Sequence, residues 1–569
     1  MNQTTPAIVA QSAVHRLPRW VLLLLCTTYV LAGFIGRGPW KNADITSFGY
    51  MAELARGDTS WFTPQLLGLV PAVDALLPYW LGAWAIQLAP WLTPDLAARI
   101  PFIGLLILTL FATWYGTYYL ARSPEAQPVA FAFGGEAHPS DYARALADGG
   151  LLAFMACLGL AQLSHETTPA LAQLCFTALS FYAFAALPYR TLTPAISSMI
   201  GLTGLALSGA PTMAALLGVG GAVIHLLDRS PVSGQPTHMR GWVVGIALLT
   251  LLVALLSVGL GLWRWRITLP ASGSDWHSLG RLLLWFTWPA WPLALWTLWR
   301  WRRQLIRGST PSRHLALPLL FAGVAIGATL TTGSADRSLL LALPALAALS
   351  AFALPTLGRS VAALVDWFTL LFFSGGALIV WVIWIAMQTG IPAQPAANVA
   401  RLAPGFEHSF SFLPFLIAVA ATLAWAWLVK WRVGRHRTAI WKSLVLPAGG
   451  ATLCWLLLMT LWLPLLDFAR SYAPLVHRTM IIMQHQPRCV ETYGLSRAQI
   501  AAFQFHGDLV LTPLRAQDHC PWLIADKDAI SPATNSVDLA KWTFHSSMRH
   551  PSDRNETLLI YKRKNKTGS

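Results

Sequence analysis

"GRGPWKNADITSFGYMAELARGDTSWFTP", residues 36–64, follows the first strongly apolar run of the chain, and its reading decides the rest. After Asp44 the apolar residues Ile45, Phe48, Ala52 and Ala55 form a helical stripe. Asp44 suits the helix start, where a carboxylate caps free N–H groups and meets the positive end of the dipole. Gly57 follows Arg56 where a helix would stop. The pattern predicts an amphipathic helix lying on the outer membrane surface, just beyond a first span.

Composition explains the membrane. The chain has 569 residues, 55% hydrophobic and only 11% charged, with 28 Trp, and a mean hydropathy of +0.52. That profile is far from that of a soluble protein and marks a polytopic membrane protein. The net charge of +16 does not point to nucleic acid, because Lys and Arg sit between apolar runs rather than on one soluble face. Thirteen segments of low charge read as spans: 18–36, 101–121, 149–163, 169–187, 191–208, 212–227, 241–262, 282–299, 315–332, 338–356, 361–388, 409–429 and 443–466. The run at 77–90, bounded by Pro78 and Pro90, is too brief and is placed at the interface. The expected fold is therefore an all-α polytopic membrane domain with about 13 transmembrane helices, followed by a small α/β domain.

Basic loops orient the spans. "RWRRQLIRGSTPSR" (300–313) and "KWRVGRHRTAIWK" (430–442) fall on one side, with Arg16, Arg19, Arg190, Arg229 and Arg240. By the positive-inside rule that side is the cytoplasm. The expected location is the bacterial inner (plasma) membrane, with the N-terminus cytoplasmic, residues 37–100 outside and the C-terminal domain periplasmic. The first apolar run lacks a clear cleavage site and reads as a retained signal anchor.

The domains expected are 1–467, the membrane domain, and 468–569, an accessory periplasmic domain. In the latter, "CVETYGLS", "GDLVLTPL", "PWLIADKD" and "ETLLIYKRK" are β-prone, while "SRAQIAAFQ" and "VDLAKWTF" are helix-like. It carries no phosphate loop, metal signature or nucleophile elbow. Cys26, Cys157, Cys175 and Cys454 lie in spans as packing residues, whereas Cys489 and Cys520 are the pair in the tail, placed for a disulfide in an oxidising compartment.

The order Trp40, Asp44, Tyr50, Gly57-Asp58, Trp61, Pro64, Gly68, Tyr79-Trp80 resembles the first periplasmic loop of GT-C glycosyltransferases of family 39, the relatives of aminoarabinose (lipid A) transferase and protein O-mannosyltransferase. The resemblance implies about thirteen spans before a periplasmic α/β domain, with Asp44 as a catalytic carboxylate. It makes Glu166, in "SHETTPALAQL", the second catalytic acid, with His165 beside it, and Tyr50, Tyr79, Trp80, His165 and Arg337 substrate-binding residues. His277, in "SDWHSLGR", stands where aminoarabinose transferase has a metal-contacting His, so His277 and Asp74 are the candidates for a divalent metal. Two departures from the family's pattern leave the identity of the sugar open. Asp44-Ile45 replaces the family's Asp-Glu, and Val73-Asp74-Ala75-Leu76 replaces Glu-Lys-Pro-Pro before Tyr79-Trp80.

What the resemblance implies is an inverting, polyprenyl-phosphate-sugar-dependent glycosyltransferase. Its partners are a polyprenyl-phosphate-linked sugar donor, a periplasmic acceptor (lipid A, other surface glycan or protein) and membrane lipids. A lipid-linked sugar needs an apolar groove, a cation at the membrane surface and a carboxylate near the anomeric carbon. Each residue also has a plain structural reading: Asp44 as a helix cap, Glu166 as a cap before Pro169, Arg337 as a snorkelling cation and His277 as a wet loop residue. Asp148 rivals Glu166 but falls on the inner side, at a helix start. The alternative function is a polytopic transporter or flippase of lipid-linked saccharide; that class shows internal repeats and mid-span charges, neither of which stands out here.

Overall fold

The computed structural model describes residues 5–228, 239–264, 267–307, 312–333, 335–433, 439–483, 487, 489–514, 520–530 and 541–564. The expectations for Arg229 and for parts of the basic loops, at 308–311 and 434–438, lie outside these residues. The first half of the chain runs α1 (Arg19–Leu31), α2 (Ala43–Arg56), α3 (Leu77–Leu88), α4 (Pro94–Ala121), α5 (Pro139–Ala156), α6 (Leu160–Leu163), α7 (Pro169–Ala186), α8 (Leu192–Leu207), α9 (Pro211–Leu227), α10 (Met239–Gly259) and α11 (Gly273–Phe286). It continues through α12 (Ala290–Arg307), α13 (Arg313–Thr331), α14 (Ala335–Leu340), α15 (Leu343–Ala353), α16 (Arg359–Thr389), α17 (Ala393–Leu402), α18 (Phe412–Val433), α19 (Lys442–Leu458), α20 (Leu463–Arg470), α21 (Ala473–Ile482) and α22 (Arg497–Gly507).

Each of the thirteen expected apolar segments falls on helix, but thirteen spans are not confirmed. Among the described residues, six helices are long and apolar enough to cross a membrane: α4, α7, α10, α13, α16 and α18. A seventh arises if α19 and α20, bent by 70°, are one span. The shortfall has a local cause. With 13 residues, α1 extends about 20 Å at 1.5 Å per residue, against roughly 30 Å of hydrocarbon. A break containing Pro289 also divides the 282–299 segment between α11 and α12, and a break just before Pro344, in the first turn of α15, divides the 338–356 segment between α14 and α15. Around the wholly buried α15, the helices α4, α5 and α7 form the core, whereas α10, α16 and α18 turn Leu, Ile, Phe and Trp outward, as lipid-facing helices do.

Beyond the membrane helices, β1 (Val490–Tyr493), β2 (Leu511–Pro513), β3 (Trp522–Asp526), β4 (Trp542–His550) and β5 (Asp553–Arg563) form one sheet in the order β2-β1-β3-β5-β4. β1 is parallel to β2 and β3, while β5 is antiparallel to β3 and β4. The "SRAQIAAFQ" stretch is helical, as α22, with Ser496 and Gln499 forming a capping box. "VDLAKWTF" departs from expectation: residues 537–540 lie outside the described set, and Trp542 to Phe544 begin β4. Trp542 is buried here while Thr543 and Phe544 face out, so sheet pairing overrides local helix propensity. Cys489 and Cys520 are bridged, with Cα atoms 5.4 Å apart. The helix α20 runs through residue 467, so the expected boundary falls inside a helix.

Candidate functional site

Asp44 lies in the first turn of α2, not at its cap. The cap position belongs to Asn42, in the left-handed region at φ 71°, and Gly57 at φ 82° ends the helix as expected. The expected bilayer-surface helix is corrected too: Ile45, Ser47, Phe48, Gly49, Tyr50, Met51, Glu53 and Leu54 are all buried. α2 is enclosed by α3, α4 and α22, so its stripe faces protein.

The Asp44 carboxylate is 2% exposed and saturated with donors. Its Oδ1 accepts the Thr167 backbone N–H at 2.8 Å and the Thr167 hydroxyl at 2.6 Å. Its Oδ2 accepts the Trp40 N–H at 3.1 Å and pairs with Arg37 Nη1 at 3.1 Å. Arg37 also donates to the Gly33 and His165 carbonyls. Behind it, buried Arg99 donates to the Arg37 carbonyl and pairs with Asp95 at 3.3 Å. Asp467 accepts the Gly38 N–H and the Trp40 indole N–H, and Arg470 lies over the Trp40 ring at 5.2 Å.

Glu166 precedes Thr167, so one loop delivers both the donor to Asp44 and a second carboxylate beside it. Glu166 is 6% exposed. It accepts Gln162 Nε2 at 3.1 Å and faces Arg337 Nη2 of α14 at 3.4 Å. The two acids titrate apart. Burial alone would raise Asp44, but Arg37, Arg99 and the Thr167 bonds outweigh it and hold the carboxyl below the ordinary aspartate range. Burial, then the Asp44 charge, push Glu166 upward against the pull of Arg337, Gln162 and Arg37. Such divergence is the signature of acid–base pairs.

The other expected site residues are placed differently. His165 is wholly buried, its ring nitrogens facing the Ala161 and Tyr29 carbonyls, and burial pushes its pKa down to about 4. It packs directly beneath Gly33, where a Cβ would come within 2.4 Å of the ring, so it braces the loop and contacts no open space. Tyr50 donates to the Leu69 carbonyl at 3.0 Å and packs against Tyr79. The Trp80 indole donates to the Trp61 carbonyl at 2.7 Å. Tyr50 and Trp80 thus hold the 59–70 loop, and Tyr79 packs behind Tyr50. Asp148 sits mid-helix in α5, not at a helix start, and accepts the Trp114 indole and Leu17 N–H groups.

The metal candidates do not fit a metal. Asp74 lies 3.6 Å from Arg264 as an ion pair, His277 is exposed on α11, and among the described residues no group of three or more His, Cys, Asp or Glu could hold an ion. Sequence reasoning missed Arg37, Arg99 and Thr167. Only the "HETTP" run hinted at Thr167.

No family model matches the sequence, and no curated protein matches it. In overall structure the chain is similar to ArnT from Cupriavidus metallidurans bound to undecaprenyl phosphate, with a TM-score of 0.60 at 12% identity, over 95% of this chain and 98% of that one. The chain has the GT-C fold. The apo ArnT of the same organism matches at a TM-score of 0.57, with 12% identity and the same coverage. An oligosaccharyltransferase of Archaeoglobus fulgidus, tethered with an acceptor peptide, matches at 0.43 with 12% identity, over 89% of this chain and 69% of that chain.

Proposed function

We propose that this protein is an integral membrane glycosyltransferase that moves a sugar from a polyprenyl-phosphate donor to an acceptor outside the cytoplasm. The observation that carries this is the joining of Asp44 and Glu166 through the 166–167 loop, with opposite protonation tendencies and Arg337 beside Glu166. The likeness to a GT-C structure bound to undecaprenyl phosphate supports a lipid-linked donor and favours transfer over transport.

In this reading the acceptor oxygen attacks the anomeric carbon, the bond from that carbon to the phosphate oxygen breaks, and polyprenyl phosphate leaves with inversion. Glu166 is the better proton acceptor, because its raised pKa lies nearer working pH. Asp44, held ionised, supplies a fixed negative charge where positive charge develops on the sugar. Arg337 balances charge on the leaving phosphate. The domains 1–467 and 468–569, a periplasmic tail, and lipid A, another glycan or a protein as acceptor belong to the same proposal.

Lipid analysis of a deletion strain tests it. A polyprenyl-phosphate sugar should accumulate and one glycan should lose a residue, both reversed by the wild-type gene and not by Glu166→Gln. Unchanged lipid-linked sugars and glycans would reject the reading.

A further inference from the structure

The helix that bears Asp44 is gripped from the far side of the membrane bundle. On its outer face, Gly49 of α2 meets α22 so closely that a Cβ at Gly49 would lie 2.6 Å from Ala501 Cβ and 3.5 Å from Ala501 Cα. One residue earlier, Phe48 packs edge-on against Phe505, with ring centroids 4.7 Å apart. One turn later, Gln504 donates to Glu53 at 2.9 Å. Phe48, Gly49 and Glu53 thus meet Ala501, Gln504 and Phe505, a continuous helix-on-helix contact permitted only by a residue without a side chain at Gly49.

The start of α2 is held as well. Lys41 pairs with Asp553 at the β4–β5 turn at 2.8 Å, and its backbone N–H donates to the Arg470 carbonyl. The turn is anchored in its own right, with Ser552 bonded to the Ala469 carbonyl and His550 facing the Ser471 carbonyl. Arg497 of α22 also donates to the Val70 carbonyl at 2.8 Å, next to Leu69, which accepts the Tyr50 hydroxyl. Asp44 lies between the two grips, three residues beyond Lys41, which precedes the helix, and five before Gly49, or about 8 Å along the helix axis from the latter.

We propose that the C-terminal domain is a positioning element of the transfer site: through α22 and the β4–β5 turn it sets the height and rotation of α2, and with it the Asp44 carboxylate. This rests on the reading of Asp44 as a reacting-site group. Gly49 and Ala501 act through Asp44 and touch no reacting atom. The contact leaves little slack, because moving two methyl carbons from 2.6 Å to an ordinary separation of about 3.5–4 Å displaces α2 by about 1 Å. Misplacement on that scale costs about 10²-fold in rate.

The test uses the full-length protein, with transfer measured in native membrane vesicles from endogenous lipid-linked donor and normalised to folded protein. Binding of undecaprenyl phosphate is measured on the same detergent-purified variants. Gly49→Ala should lose about 10–10²-fold in turnover while undecaprenyl phosphate affinity stays within about twofold. Gly49→Ala combined with Ala501→Gly moves the methyl from one helix to the other and should restore most of the turnover. If Gly49→Ala fails to fold, the charge swap Lys41→Asp with Asp553→Lys serves instead: Lys41→Asp alone lowers turnover several-fold and the swap recovers it. Full turnover in Gly49→Ala, or a loss that the exchange does not rescue, overturns the inference. Asp44→Asn, assayed alongside, separates the two failures. If it keeps full activity, the site reading falls and this inference with it; if it is inactive while Gly49→Ala is normal, only this inference falls.

Discussion

Replacing Asp44 by Asn tests the site most sharply, because the residues around it make the exchange far from silent. All four groups facing the carboxylate are donors: the Thr167 N–H and hydroxyl at Oδ1, and the Trp40 N–H and Arg37 Nη1 at Oδ2. An amide has one oxygen and one NH₂, so either orientation sets its donor against donors. Arg37 is 5% exposed, so its charge stays buried without the anion it pairs with. Breaking a buried pair from one side costs about 3–5 kcal/mol. A helix cap would tolerate Asn with almost no loss. The expected outcome is a marked fall in thermal stability in detergent, followed by intrinsic Trp fluorescence, and a loss of at least about 10²-fold in transfer per folded molecule. The pH dependence has a definite sign. Asp44 is held below its ordinary pKa when folded, so its contribution is complete above that ordinary value and is lost as pH falls through the depressed one. Asp44→Asn should flatten that acid limb. A variant as stable and as active as wild type would refute both the buried ion-pair account and the role of Asp44 in transfer.

Three further outcomes follow from named contacts. If Glu166 is the base, turnover declines as pH drops through its raised pKa, and Arg337→Gln, which removes a cation that lowers that pKa, shifts the acid limb of the kcat profile to higher pH; an unshifted profile counts against the pairing. Joint Cys489→Ser and Cys520→Ser replacement, which opens a bridge with a sequence separation of 31 residues, should destabilise the tail by about 3–4 kcal/mol in the chain-entropy model, and non-reducing peptide mapping that finds both thiols free would contradict it. Alkaline phosphatase fused after residue 569 should be active and GFP at the same point dark, and the reverse result would invert the proposed topology.

Much of the architecture was legible because its signals are local. Apolar runs mark helices wherever about twenty residues avoid charge, Gly57 marks the end of α2 because its backbone turns left-handed there, and the two tail cysteines stand apart from those in the bundle. Asp44 and Glu166 were singled out only by the resemblance of their two stretches to the outer loops of GT-C glycosyltransferases, and their catalytic roles are part of the proposal. The number of helices long enough to span was not, since it depends on where proline and tertiary packing break an apolar run, and composition is blind to that.

The surroundings of the carboxylates were decided by tertiary structure alone. Thr167 reaches Asp44 across 123 residues of sequence, Gln504 reaches Glu53 across 451, and Lys41 reaches Asp553 across 512. No periodicity encodes such partners. The amphipathic stripe of α2 is the same whether lipid or protein covers it, because both offer an apolar surface. That it meets α22, with Gly49 against Ala501, follows only from how the C-terminal domain folds back over the bundle. Tyr50 and Tyr79 look like ligand contacts in sequence because aromatic residues serve cores and binding sites alike; in the fold both are buried and packed against each other, and burial pushes the Tyr50 phenol up to about 12. Sequence alone established what kind of surface each segment presents, and the fold chose which surfaces meet, because long-range contacts are selected by the packing of the whole chain.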